Sequence, residues 1–105
     1  MSVAITVTHR AKPGMRDEVR KVWEPWMPAA ISSNVGHIAY AYTFDHGDAD
    51  VIRAFQVYPD ADAAAAYLQN DSYRQYVEAV EPLLMGPPNV TTADVMWSKG
   101  ISNAR

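Results

Sequence analysis

The chain contains no cysteine. Disulfide scaffolds, thiolate metal sites and cysteine nucleophiles are therefore excluded. No apolar run approaches the roughly 20 residues of a membrane-spanning helix, so no membrane partner is expected. The first ten residues lack the layout of a secretory signal, which makes a cytoplasmic location the expectation. Positive charge is also scarce. Nine Lys and Arg face twelve Asp and Glu, for a net charge of −3. No basic stripe exists to neutralise a run of phosphates, and nucleic-acid binding is not expected. The three histidines have no paired spacing, so no metal site is expected. Glycine is sparse, at five residues, and each falls at a turn. No dinucleotide fingerprint, phosphate-cradling loop or nucleophile elbow is present.

What is present suits one globular domain. The chain has 105 residues, of which 49% are hydrophobic and 20% charged. A chain this size buries roughly two thirds of its extended surface, enough for one modest core. The whole of residues 1–105 reads as a single domain, with a core of about 3–97 and a tail over 98–105.

Residues Val3 to His9 alternate apolar with small or polar side chains, as in a half-buried strand. Lys12-Pro13-Gly14 then punctuates the chain. A helical stripe runs through Met15, Val19, Val22, Trp23, Trp26, Met27 and Ala30, with Arg16, Asp17, Arg20, Lys21 and Glu24 opposite. Pro25 and Pro28 predict a break between Trp23 and Pro28. His37 to Phe44 and Val51 to Tyr58 read as two strands joined by the turn-forming Asp45 to Asp50, hence a hairpin. Asp60 is suited to cap a helix through Leu68. Ser72 to Gln75 resembles a capping box for a second helix. That helix carries Tyr73, Tyr76, Val77, Val80, Leu83 and Leu84, and Gly86-Pro87-Pro88 is expected to stop it. Val90 to Trp97 is the last strand.

The order is β-α-β-β-α-β. It predicts an α+β fold of ferredoxin-like type, a four-stranded antiparallel sheet with helices on one face. The other face would be bare. Yet Ala4, Thr6 and Thr8 of the first strand and Ala39, Ala41 and Thr43 of the second are small and uncharged. A second copy of the chain is the economical cover, giving a homodimer.

In that order and spacing, the chain resembles the antibiotic biosynthesis monooxygenase (ABM) family of dimeric α+β barrels. The resemblance rests on Lys12-Pro13-Gly14, Val35 to Tyr40, Gln56 to Asp60, Asn70-Asp71-Ser72 and Leu83 to Pro88. It implies a homodimer with a pocket between sheet and helices in each subunit. Some members of the family oxygenate quinols or aromatic polyketides without metal or flavin, and others degrade heme. Many members have a Glu-x-Trp pair where this chain has Gln56 and Tyr58, and a helix histidine where it has Tyr67. The three positions that mark the heme-degrading branch hold Val7, Tyr67 and Val77. With Val77 at the ligand position, heme has no evident axial ligand and is disfavoured.

Cofactor-free oxygenation needs an electron-rich phenol or enol, aromatic walls, one base and one or two hydrogen-bond donors. His9 is the candidate base, with a structural histidine at a strand end as the alternative. Tyr67 is the second candidate catalytic group, because the resemblance places a functional side chain there. Trp26, Tyr42, Tyr73 and Tyr76 are candidates for lining a substrate site, against the alternative of ordinary core packing. Arg53 is a candidate partner for a substrate oxyanion, against an ion pair with Asp94 or another acid. His37 is a weaker candidate, and His46 belongs to a solvated turn. No cofactor is expected. The favoured reading is a monooxygenase for quinol-like or polycyclic phenolic substrates. A ligand-binding or stress-associated homodimer without turnover, and a cyclase or isomerase on the same barrel, are the alternatives.

Overall fold

A computed structural model describes residues 1–25, 27–34 and 36–100. The chain runs β1 (Val3–Arg10), α1 (Arg16–Trp23), α2 (Met27–Ser33), β2 (Ala39–Phe44), β3 (Val51–Tyr58), α3 (Ala61–Leu68), α4 (Asp71–Val80), a 3₁₀ turn (Glu81–Leu83) and β4 (Asn89–Asp94). The strands form one antiparallel sheet in the order β2-β3-β1-β4. This is the ferredoxin-like arrangement that the element order predicts.

Register assigns the faces. Val3, Ile5, Val7 and His9 of β1 pair with Tyr58, Gln56, Ala54 and Ile52 of β3. All eight are buried, so this face carries the core beneath the helices. The opposite face presents Ala4, Thr6 and Thr8, together with Ala41, Thr43 and a Phe55 that is 42% exposed.

The proline break falls where expected, between Trp23 and Met27, and divides one amphipathic run into α1 and α2. Val19 and Met27 anchor the two pieces in the core. Arg16 departs from the solvent face assigned to it. Its guanidinium donates to the carbonyls of Asp45, Asp48 and Val51 and lies 4.2 Å from the Phe44 ring centre. It thereby pins α1 to the turn of the β2–β3 hairpin. That turn is held by Asp45, which accepts from the amides of Gly47 and Asp48.

Asp60 caps α3 as expected, accepting from the Ala63 amide. The start of α4 differs from expectation. Asn70, not Ser72, is the cap, and its side-chain oxygen accepts from the Ser72 amide. The chain is therefore already helical at Asp71. The α4 helix also ends earlier than Gly86. Pro82 has no amide proton to continue the ladder, and the chain tightens into a 3₁₀ turn at Glu81. The last strand is shorter than predicted, ending at Asp94.

Candidate functional site

The helix-facing side of the sheet and the helices above it enclose a small aromatic cavity. Its lining includes Val7 and His9 of β1, Tyr40 and Tyr42 of β2, and Ala54 and Gln56 of β3. Trp23, Met27, Tyr73 and Tyr76 close it from the helices. The space exists because Ala54 and Val7 are small residues in the middle of the floor. Its volume is about 10 Å³. That is room for about one water molecule.

The cavity wall is polar in an unusual way. His9 Nδ1, Trp23 Nε1 and the hydroxyls of Tyr42 and Tyr76 are all buried; the two hydroxyls face each other and the indole faces the Tyr40 hydroxyl, all short of good hydrogen-bond geometry, while His9 Nδ1 has no partner. Buried polar groups nearly always find partners, and leaving one unmade costs about 1–3 kcal/mol. Four polar atoms with weak or no partners therefore surround one void.

His9 is 3% exposed, with the Tyr76 ring edge-on at 5.9 Å. Burial lowers its pKa to about 4, so the imidazole is neutral at pH 7 and takes up a proton only where a bound anion beside it offsets the burial. Burial pushes the Tyr42 hydroxyl up to about 12 and raises those of Tyr40 and Tyr76 further. These phenols stay protonated and act as donors. Trp23 stacks on Tyr42 with ring centres 4.0 Å apart and planes 16° from parallel. The α1 helix thus ends on an indole lying flat against β2, which forms one wall of the cavity.

A hydrogen-bond relay reaches the cavity from the loop before β2. The Gly36 amide donates to Asn34 Oδ1, which leaves Asn34 Nδ2 to donate to His37 Nδ1 at 2.9 Å. His37 Nδ1 therefore carries no proton, and its Nε2–H donates to the Tyr58 hydroxyl at 2.9 Å. Tyr58 in turn donates to Gln56 Oε1. Burial holds His37 below the ordinary histidine pKa, with Gln56 partly opposing the shift. With Oε1 engaged in the relay, Gln56 has its Nε2 donor to offer the cavity it lines.

The structure brings His9, Tyr42, Tyr73 and Tyr76 together around this cavity. Tyr67 is buried with an unpartnered hydroxyl, but it packs against His37, Tyr58 and Tyr73. The relay, rather than His9, is its neighbourhood. Arg53 lies on the opposite face of the sheet, since its neighbours Ile52 and Ala54 point toward the helices, and it pairs with Asp45. The ion pair, not a place beside His9, is what the register gives it. Trp26 lies outside the described residues. Gln56, His37 and Tyr58 were not singled out as a unit from sequence. The available signal was Gln56 itself, the one amide among the core-facing positions Ile52, Ala54, Gln56 and Tyr58 of β3. Among the described residues, no group of three or more His, Asp or Glu is placed to hold a metal ion. No helix there is long and apolar enough to cross a membrane.

Solved structures share this architecture. Rv0793 from Mycobacterium tuberculosis superposes with a TM-score of 0.81 at 19% identity, covering 93% of this chain and 98% of that one. A protein of unknown function from Nitrosomonas europaea gives 0.82 at 20%, covering 96% and 95%. A Chloroflexus aurantiacus protein whose name carries the antibiotic biosynthesis monooxygenase designation gives 0.77 at 22%, covering 97% and 100%. No curated protein matches the sequence significantly. At these identities the superpositions speak for the fold alone. The sequence itself goes further, because the model of the antibiotic biosynthesis monooxygenase family matches residues 2–79, from the start of β1 almost to the end of α4 and so through every wall of the cavity. The chain belongs to the antibiotic biosynthesis monooxygenase family.

Proposed function

We propose that this protein is a monooxygenase that works without metal or flavin on a quinol-like or polycyclic phenolic substrate. The observation that carries the reading is a neutral, buried His9 whose Nδ1 is unpartnered, set in an aromatic cavity with the hydroxyls of Tyr42 and Tyr76. A substrate phenol or enol gives its proton to His9, and the resulting anion is held by the tyrosine hydroxyls and the Gln56 amide. The anion's own electrons reduce O₂. A ring carbon bearing hydrogen adds O₂ and, with the proton His9 returns, becomes a hydroperoxide; loss of that carbon's hydrogen then breaks the O–O bond, leaving one oxygen as a carbonyl and releasing the other as water. The protein's task is to bind, deprotonate and exclude solvent. The position that would supply an axial histidine to heme holds Val77, which supports a reaction independent of heme.

The active form is a homodimer in this reading. Its support is the helix-free outer face of the sheet, where Ala41, Thr43 and Phe55 stand exposed and the charges, Arg10 and Arg53, are paired with Asp48 and Asp45 at the hairpin end.

Oxygen uptake by purified, metal-free protein tests the reaction, with reduced naphthoquinones, anthrones and naphthols as the panel. Saturable uptake of one O₂ per substrate, above a heat-inactivated control, is expected. Turnover that proceeds equally without O₂ would mean a cyclase or isomerase. Tight binding with no turnover would mean a ligand-binding protein.

A further inference from the structure

The narrow cavity beside His9 is far too small for the substrate class proposed above, and larger space lies next to it. Between α4 and β4 runs an open cleft of about 370 Å³, lined by Tyr73, Arg74, Val77, Glu78, Glu81, Pro88 and Val90. Small-molecule sites occupy roughly 300–1,000 Å³, so this cleft has the right scale. It exists because no helix covers the inward face of β4. Val90 faces the helix layer yet is 41% exposed.

The cleft and the cavity share one floor. Val90 pairs with Val7, Val7 with Ala54, and Ala54 with Tyr42, a single row of side chains crossing all four strands. Val90 floors the cleft, while Val7, Ala54 and Tyr42 floor the cavity. They also share one wall, since Tyr73 lines both spaces. Tyr73 is half-buried on the first turns of α4, and its ring rests against Tyr67 at 5.4 Å. It stands between the wide cleft and the narrow polar-tipped cavity.

We propose that the α4–β4 cleft is the outer half of the binding site, and that ligand reaches His9 past the side chain of Tyr73. The ligand this fits is a planar, largely apolar ring system with an oxygen at its leading edge. The ring body lies over Val90, Val7 and Ala54. The leading oxygen meets the unpartnered His9 Nδ1 and the facing hydroxyls of Tyr42 and Tyr76. Substituents at the trailing edge remain in water beside Arg74, Glu78 and Glu81, which rim the cleft. The ligand class rests on the oxygenase reading, whereas the route past Tyr73 rests on geometry alone.

The absence of cysteine makes the route directly measurable. Ala54→Cys places a single thiol on the cavity floor. Its reaction with 4,4′-dithiodipyridine, a planar aromatic disulfide, releases a coloured thiopyridone at the rate at which the reagent arrives. Adding Val90→Trp fills the cleft from an exposed strand position and is expected to slow labelling at least tenfold with no loss of thermal stability. Adding Tyr73→Ala is expected to speed it at least tenfold, and Tyr73→Phe, which keeps the ring, to leave it unchanged. Labelling of the Val90→Trp protein at the parent rate would overturn the proposal, as would a thiol that no variant exposes. Should Tyr73→Ala fail to fold, the Val90→Trp comparison decides alone. Failure of every compound to consume oxygen would remove the proposed reaction while leaving these thiol rates as they are, so the two ideas fail separately.

Discussion

Buried, neutral His9 makes the protein's acid stability predictable. Its pKa is about 4 in the folded chain, against 6.5 for an ordinary histidine. Between these values the unfolded chain binds a proton that the folded chain refuses. Stability therefore falls as pH drops through 6.5, and the loss is complete only below about 4. Working the two titrations through gives a loss from His9 alone of about 2 kcal/mol at pH 5 and about 3 kcal/mol at pH 4. For a domain whose total stability is about 5–15 kcal/mol, that is a large share. The perturbation that isolates it is His9→Phe, which keeps a ring beside Tyr76 and removes the titrating nitrogens. Urea unfolding of both proteins would be followed at pH 7, 6, 5 and 4 and at one protein concentration. Carboxylates and His37 titrate in both chains and cancel in the difference. The variant should gain on the parent by about 2 kcal/mol between pH 7 and pH 5. A pH-independent difference would show that His9 is solvated or partnered, and with it the cavity base would be lost.

The remaining predictions address separate links. Tyr42→Phe removes a buried hydroxyl that faces only Tyr76, at poor geometry, so the melting temperature should change little, while oxygen uptake with a confirmed substrate should fall about tenfold or more; a large drop in melting temperature would show that the Tyr42–Tyr76 contact is a strong hydrogen bond. Asp60→Ala removes the α3 cap and should cost about 1 kcal/mol in urea unfolding, with no effect on ligand binding. Ala41→Arg puts a charge on the outer sheet face, and light scattering should show a dimer of the parent reduced to monomer; equal masses for the two proteins would locate any interface elsewhere.

Much of the fold was legible because local chemistry and global arrangement agree in this chain. Turn residues from Asp45 to Asp50 and the Pro59-Asp60 pair bracket β3, and its bounds, Val51 and Tyr58, match the sequence reading. Asp60 is an unambiguous cap. Where two local signals compete, the sequence does not decide between them. Asn70 and Ser72 are both good caps, and the choice between them depends on where the chain leaves α3. Pro82 precedes Gly86 as a terminator but sits where a first turn would tolerate it. The site was legible only in part, since its decisive relations cross the sheet. His9 and Tyr76 meet because α4 lies over β1, and no period in the sequence spaces them. The relay from Asn34 through His37 and Tyr58 to Gln56 needs the β2–β3 register before it can be seen. The resemblance places a helix histidine where this chain has Tyr67. Here an imidazole reaches that neighbourhood from His37, whose ring centre lies 4.4 Å from that of Tyr67. Of the two readings of Arg53, the structure shows the ion pair with an acid. Arg53 is an attractive charge in a strand, but alternation sends it to the far face.

The strand that leaves the cleft open has a consequence for solubility. β4 pairs with β1 on one side only, and every residue from Asn89 to Asp94 is exposed. Its stretch from Val90 to Ala93, with two threonines, is a template for strand addition by another chain. The sequence restrains that hazard at both ends. Pro87 and Pro88 cannot donate to a growing ladder, and Asp94 sets a charge at the exit. Only five residues lie between these guards, too few for a stable edge-to-edge contact. Asp94→Val should therefore lower the concentration at which the protein clouds on heating, with its melting temperature little changed. Any attempt to open the cleft further by reshaping β4 will need to keep these gatekeepers in place.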